Sequence, residues 1–197
     1  MTINVVDTIM DNLKGPVLEQ IGSWIGQSPE KTKSAAEGIV PALLTGLLGK
    51  ASKPDGESQL SELFDQVDDS LLDKLGSVLK GGEAASVSQS GENLLTRFFG
   101  NNLVTNLVSA VAKFAGLDLG SSKSLLGLLA PVAFAAIKRL VSKGGLTMKW
   151  LTNLLTSQKN EVARAVPKGL SEILGGAGLS GLLSGIASEV EAAAEAG

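Results

Sequence analysis

Asp65, Asp68 and Asp69 are the residues whose type and spacing come nearest to a chemistry. On a helical turn they would set carboxylates on one side and attract a hard cation, which takes oxygen ligands. The spacing of an EF-hand loop is missing, so a solvated, helix-capping acidic stretch is the expected role. General acid–base work by a carboxylate pair needs a convergence in space that spacing along the chain does not supply. Lys33-Ser34 and its echo Lys123-Ser124 suggest a Ser–Lys nucleophile. Adjacent residues on a helix do not face each other, however, so capping and surface roles are expected for both pairs. The 197 residues include no histidine and no cysteine. That removes Ser–His and Cys–His nucleophiles, thiolate zinc sites, disulfides and the commonest metal ligand. We therefore expect a protein that is not an enzyme, with no catalytic, cofactor-binding or metal-binding residues.

Hydrophobic residues make up 44% of the chain and aromatic ones only 4%. With a mean hydropathy of +0.24, this composition calls for extensive burial among small and aliphatic side chains. Seventeen basic against twenty acidic residues give a net charge of −3 without a run of either sign. A phosphate-binding surface needs clustered Lys and Arg, so no nucleic-acid partner is expected. The opening MTINVVDTIMDNLKG lacks the basic and apolar regions of a signal peptide, which makes the cytoplasm the expected location. The longest nearly pure apolar stretch, LLGLLAPVAFAAI, has thirteen residues. A membrane span needs roughly 20, so a buried core helix is expected there.

Strand patterns are absent and helical spacing recurs almost everywhere. An opening helix covers about residues 4–13, and Gly15-Pro16 punctuates it. Val17, Leu18, Ile21, Trp24 and Ile25 then follow one buried helical face. Ser28-Pro29-Glu30 is a helix start, with a capping oxygen, a first-turn proline and an acid at the positive end of the dipole. That helix should run to about Ser52, interrupted at Pro41. A static kink is favoured there over a hinge. Leu60, Leu63, Phe64 and Val67 mark a short amphipathic helix, and Ser70-Leu71-Leu72-Asp73 has the form of a capping box.

At an offset of ninety, residues 12–53 match 102–143 at eight positions, among them Gly26/Gly116, Lys33/Lys123 and Pro41/Pro131. Ser28 aligns with Asp118, and either residue caps a helix. Past the turn the offset becomes ninety-one, pairing Leu60 with Leu151 and Leu63 with Leu154. An all-α, multihelical fold of two similar halves with proline-kinked central helices is expected, the halves sharing one core. The divisions are residues 1–80, a small polar linker over 81–91 (GGEAASVSQSG), a second half over 92–165 and a Gly-rich tail over 166–197.

In that tail Leu179, Leu182, Leu183, Ile186 and Val190 keep strict helical spacing. They are the candidate interaction residues. The surrounding glycines, Gly181 and Gly185 among them, each weaken an isolated helix by about 1 kcal/mol relative to Ala. Such a helix needs a partner surface, in its own chain or in another subunit. With no Lys or Arg after Lys168, binding to anionic lipid is not favoured.

The second half, FFGNNLVTNLVSAVAKFAGLDLG, LLGLLAPVAFAAI and WLTNLLTSQ, resembles the YidB-like bacterial family of unknown function. The first half resembles it too, through IVPALLTGLL and QLSELF, so that the likeness covers about residues 15–158. The resemblance implies an all-α, multihelical fold without an established catalytic role. Some members carry an additional peptidoglycan-binding domain, which is not expected here. The expected function is a structural or interaction protein that self-associates as a homo-oligomer or scaffolds partners through apolar helical surfaces. A membrane-surface or envelope role is the alternative, and a carboxylate- or lysine-based enzyme the third.

Overall fold

A computed structural model of the chain describes residues 4–170. The fold is all-α. In order along the chain stand α1 (Val5–Asn12), α2 (Pro16–Ile25), α3 (Pro29–Ala51), α4 (Gly56–Asp65) and α5 (Leu71–Gly81). They are followed by α6 (Ala84–Phe99), α7 (Asn101–Ala115), α8 (Leu119–Lys143), α9 (Met148–Ser157) and α10 (Lys159–Ala165).

The two longest helices, α3 and α8, form the centre. From Ala35 to Leu48 every residue of α3 but Glu37 is buried. A helix apolar on all sides belongs inside the molecule, and shorter amphipathic helices must cover it. That cover comes from both halves. The first half's α3 lies against its own α1, α2 and α4 and also against α9 and α10, while the second half's α8 lies mainly against its own α6 and α7 and also against α5 and α4. Phe64 of α4 meets Phe134 of α8 edge to face, ring centres 6.2 Å apart at 83°, a favoured aromatic geometry. One apolar cluster draws on residues from Val5 to Leu170.

Matching devices shape the α2–α3 and α7–α8 pairs. Gly26 and Gly116 end the first helix of each pair in the left-handed region, at φ 71° and 69°. A side chain would be strained in that conformation, which is why glycine stands there. Ser28 then accepts from the Lys31 amide, and Asp118 from the Ser121 amide, at the start of the next helix. At the far end of the molecule the buried amide of Val5 donates to Gln158 Oε1 at 3.1 Å, tying the first helix to the α9–α10 junction.

Three expectations change. Both prolines lie inside unbroken helices, so Pro41 does not interrupt α3 nor Pro131 α8. Proline costs a helix interior about 3 kcal/mol, which packing on all sides of these central helices offsets. Residues 81–91 are not a linker. Gly81 ends α5, Gly82 caps it, and α6 begins at Ala84, burying Ala84, Ser88 and Gly91. These small residues, which composition marks as flexible, let α6 approach α8 closely. The Ser70 capping box also does not form, because Ser70 is itself in the helical region and its side chain caps nothing.

Candidate interaction surface

The acidic stretch has a structural occupation. Asp68 Oδ1 accepts from the Ser70 amide at 2.9 Å, and the hydrogen bonds from Ser70 hold its carboxyl below the usual carboxylate range. Asp73 takes the Arg139 guanidinium with both oxygens, at 3.0 and 2.6 Å. That same bond lowers the Asp73 pKa and raises that of Arg139. Arg139 also donates to the Asp69 carbonyl at 2.9 Å, and Lys138 to the Val67 carbonyl at 2.7 Å. The end of α8 thus clamps the α4–α5 turn, and Asp65 points outward at an exposed position. Among the described residues no group of three or more carboxylates converges on a common point.

The lysine of each Lys-Ser pair is engaged by a carboxylate. Lys33 reaches Glu37 on its own helix at 3.9 Å, and Lys123 reaches Glu92 of α6 at 3.2 Å. The carbonyl of Ser124 accepts from the Ser88 hydroxyl at 2.8 Å. Lys50, at the end of α3, has its pKa lowered first by burial and then by Lys53. Buried hydroxyls serve the helices themselves, Thr45 donating to the Pro41 carbonyl and Ser122 to the Val108 carbonyl, at 2.8 and 2.7 Å.

Apolar geometry is more informative. Ala42, Leu43 and Gly46 of α3 line one wall of a narrow cleft, and Leu95, Phe99, Leu103, Val104 and Leu107 line the rest. Its free space is about 20 Å³, room for little more than the tip of one side chain. Phe99 and Leu103 at the rim are half-buried, as is the neighbouring Phe98. Arg97 lies over the Phe98 ring, 5.9 Å from its centre, and donates to Glu62 and Gln66 of the α4 region. The end of α6 is thus tied to the α4 region while the apolar side chains of the α6–α7 corner stay within reach of solvent. Sequence spacing missed this cleft, because Ala42 and Gly46 carry no chemical signal of their own. The stripe Leu103, Leu107 and Val111 on α7, at i, i+4 and i+8, was the available hint.

Two other surfaces are polar. Between α1, α2 and α3 a groove of about 830 Å³ is lined by Asp7, Asp11, Lys14, Glu19, Lys33 and Glu37, among others. At the junction of α2 and α8, Gln27 Nε2 donates to Asp118 at 3.0 Å and to the Ser121 hydroxyl at 3.2 Å. Beside that junction Leu119 is 61% exposed, the one large apolar side chain so open among the described residues.

The sequence-based candidates Leu179, Leu182, Leu183, Ile186 and Val190 lie outside the described residues. The apolar run on α8 does belong to a helix long and apolar enough to cross a membrane, Leu119–Lys143. However, 72% of its most apolar window is buried inside the molecule, against the neighbouring helices.

No curated protein and no solved structure matches the chain. Residues 7–139 match a family described as bacterial proteins of unknown function, DUF937, with which the YidB-like resemblance is consistent. The match spans more than half of the chain, which belongs to that family.

Proposed function

We propose that this chain is a non-enzymatic interaction protein, associating with copies of itself or holding partner helices through its apolar helical surfaces. The supporting observation is the cleft between α3, α6 and α7, whose lining is apolar and whose rim leaves Phe99 and Leu103 half-exposed. Aromatic and aliphatic side chains around a dry, well-packed pocket are what interface anchors use. The carboxylates with shifted pKa values support the same reading from the other side, since Asp68, Asp73 and Asp118 are engaged in a turn, a clamp and a cap. Light scattering over a wide concentration range is the test. Mass above the monomer should appear, and Leu103→Asp, placing a charge on the rim, should lower it without changing helicity. A strict monomer at high concentration would remove self-association from the proposal.

A further inference from the structure

We propose that the groove between α6 and the α4–α5 turn binds a short, uncharged segment of polypeptide in extended form. The groove holds about 500 Å³, within the size range of ligand sites. It shares no lining residue with the α3–α6–α7 cleft, so it stands or falls independently of self-association there.

Both walls are fastened to α8. On one side Lys138 and Arg139 donate to the carbonyls of Val67 and Asp69 in the α4–α5 turn. On the other, Gly91 sets the α6 backbone directly against Gly127. Between them the floor is apolar, made of Val67, Leu71, Val87, Leu94 and the half-buried ring of Pro131. A site already formed loses less free energy to ordering when its ligand arrives.

The α6 wall carries the recognition chemistry. Ser86, Ser90 and Asn93 stand at i, i+4 and i+7, share one helix face and line the groove. All three are exposed, and their side chains have no hydrogen-bond partner among the described residues. Asn93 offers two donors and a carbonyl acceptor, and each serine one donor and two lone pairs. The charged lining residues are Asp68 and Arg97, one of each sign. Both are engaged, Asp68 by the Ser70 amide and Arg97 by Gln66 and Glu62. A ligand is therefore met by neutral hydrogen-bonding groups, which argues against a phosphate or a charged peptide.

These features suit an extended main chain. Ser86 and Ser90 are separated by about 6 Å along the helix axis, and groups that face the same way on an extended chain recur about every 6.6 Å. From Ser86 to Arg97 the wall runs about 16 Å, the reach of about five extended residues. The Asn93 amide can accept from an N–H and donate to a C=O of such a segment. Those main-chain groups need partners wherever water is excluded, while alternate side chains turn toward the apolar floor. A helix in the groove would satisfy its own backbone and cover Ser86, Ser90 and Asn93 without pairing them, which is costly.

The probe is a positional-scanning library of acetylated, amidated pentapeptides, with binding to the full chain read by fluorescence anisotropy. Selection should enrich Val, Leu or Ile at alternate positions and charged residues at none. With the selected peptide, Asn93→Ala should weaken binding roughly tenfold, the loss of about two neutral hydrogen bonds. Ser90→Trp, which fills the groove from its wall, should abolish binding. Both positions are exposed, so helicity and melting temperature should match those of the parent chain. Replacing the peptide's amides one at a time by esters removes single N–H donors. One such ester should bind several-fold more weakly to the parent chain and no more weakly to Asn93→Ala. Glu19→Ala, in the charged groove between α1 and α3, should change nothing. The proposal is overturned if no peptide binds, if a charged sequence is selected, or if both groove variants bind as the parent does. It is overturned equally if every ester binds as well as its amide, since side chains alone would then be recognised.

Discussion

Gly91 and Gly127 bring two helix backbones together at a point where one methyl group would force them apart. A Cβ on Gly91 would lie 1.8 Å from the Gly127 carbonyl oxygen, and one on Gly127 would lie 2.3 Å from the Ser88 carbonyl oxygen. Both obstacles are backbone, so relief requires moving a helix. Pro131 explains why this carbonyl is available. It stands four residues beyond Gly127 and has no N–H to donate back to it. The hydrogen at Gly91 that occupies the Cβ direction points at the freed oxygen, a weak Cα–H···O contact. Gly91→Ala and Gly127→Ala should therefore each cost about 3 kcal/mol or more, the upper range for overpacking. Gly76 of α5 is the control, with nothing within 4 Å of its Cβ position. Gly76→Ala should stabilise by up to about 1 kcal/mol. Urea unfolding of the three variants checks the ordering, and a mild effect at Gly91 would contradict the close contact. In sequence, Gly91 marks only flexibility, because the oxygen that demands a glycine comes from a residue thirty-six positions away.

Helix starts offer a sharper contrast between the two similar pairs of helices. Ser28 makes a single long cap bond, 3.3 Å to the Lys31 amide. Asp118 accepts from the Ser121 amide at 2.9 Å and the Ser121 hydroxyl at 2.6 Å, and from Gln27 across the α2–α8 junction at 3.0 Å. Ser28→Ala should cost about 1 kcal/mol, and Asp118→Ala should cost more at neutral pH. The Ser121 hydroxyl, then its amide, hold the Asp118 pKa below the ordinary carboxylate value. A lowered folded pKa stabilises the fold above the unfolded value, about pH 4. That stabilisation disappears as pH falls through the folded value. The penalty of Asp118→Ala should thus shrink below about pH 4 while that of Ser28→Ala stays level. Parallel denaturation series at neutral and acid pH would show it, and a pH-independent Asp118 penalty would count against the charged cap. Both starts were legible, because a capping residue before a helical run is a local signal. The first turns of α6 were not, since Ala84, Ser88 and Gly91 make sense only against Gly127 of α8. The Ser70 box failed for the complementary reason. Asp73, which would have completed it, bonds to Arg139 on a distant helix instead.

At the scale of the molecule, the decisive feature is the cover that each central helix takes from the other half. The matching caps before α3 and α8 were visible in the sequence, yet nothing local says that α3 rests on α9 and α10 as well as on α4, or that α8 rests on α5 and α4 as well as on α6 and α7. That pairing is a matter of which apolar faces fit together in three dimensions. The cleft lay equally out of sight, because α3, α6 and α7 build its walls jointly. Cover drawn from both halves has a consequence for folding. The first half alone would expose the side of α3 that Leu151, Leu155 and Val162 help to bury, and the second would expose α8 where Phe64 meets Phe134. Each fully exposed Leu- or Phe-sized side chain forfeits about 1.5–3 kcal/mol, against a total stability of only about 5–15 kcal/mol for a whole domain. Fragments 1–82 and 83–197, divided at the Gly82 cap, should therefore each show weak helicity and no sharp thermal transition alone. Mixed in equal amounts they should recover helicity and melt together, and the intact chain should unfold in a single step with matching calorimetric and van't Hoff enthalpies. A cooperative melt from fragment 1–82 by itself would mean that the first half completes its own core without the cover that α9 and α10 give α3.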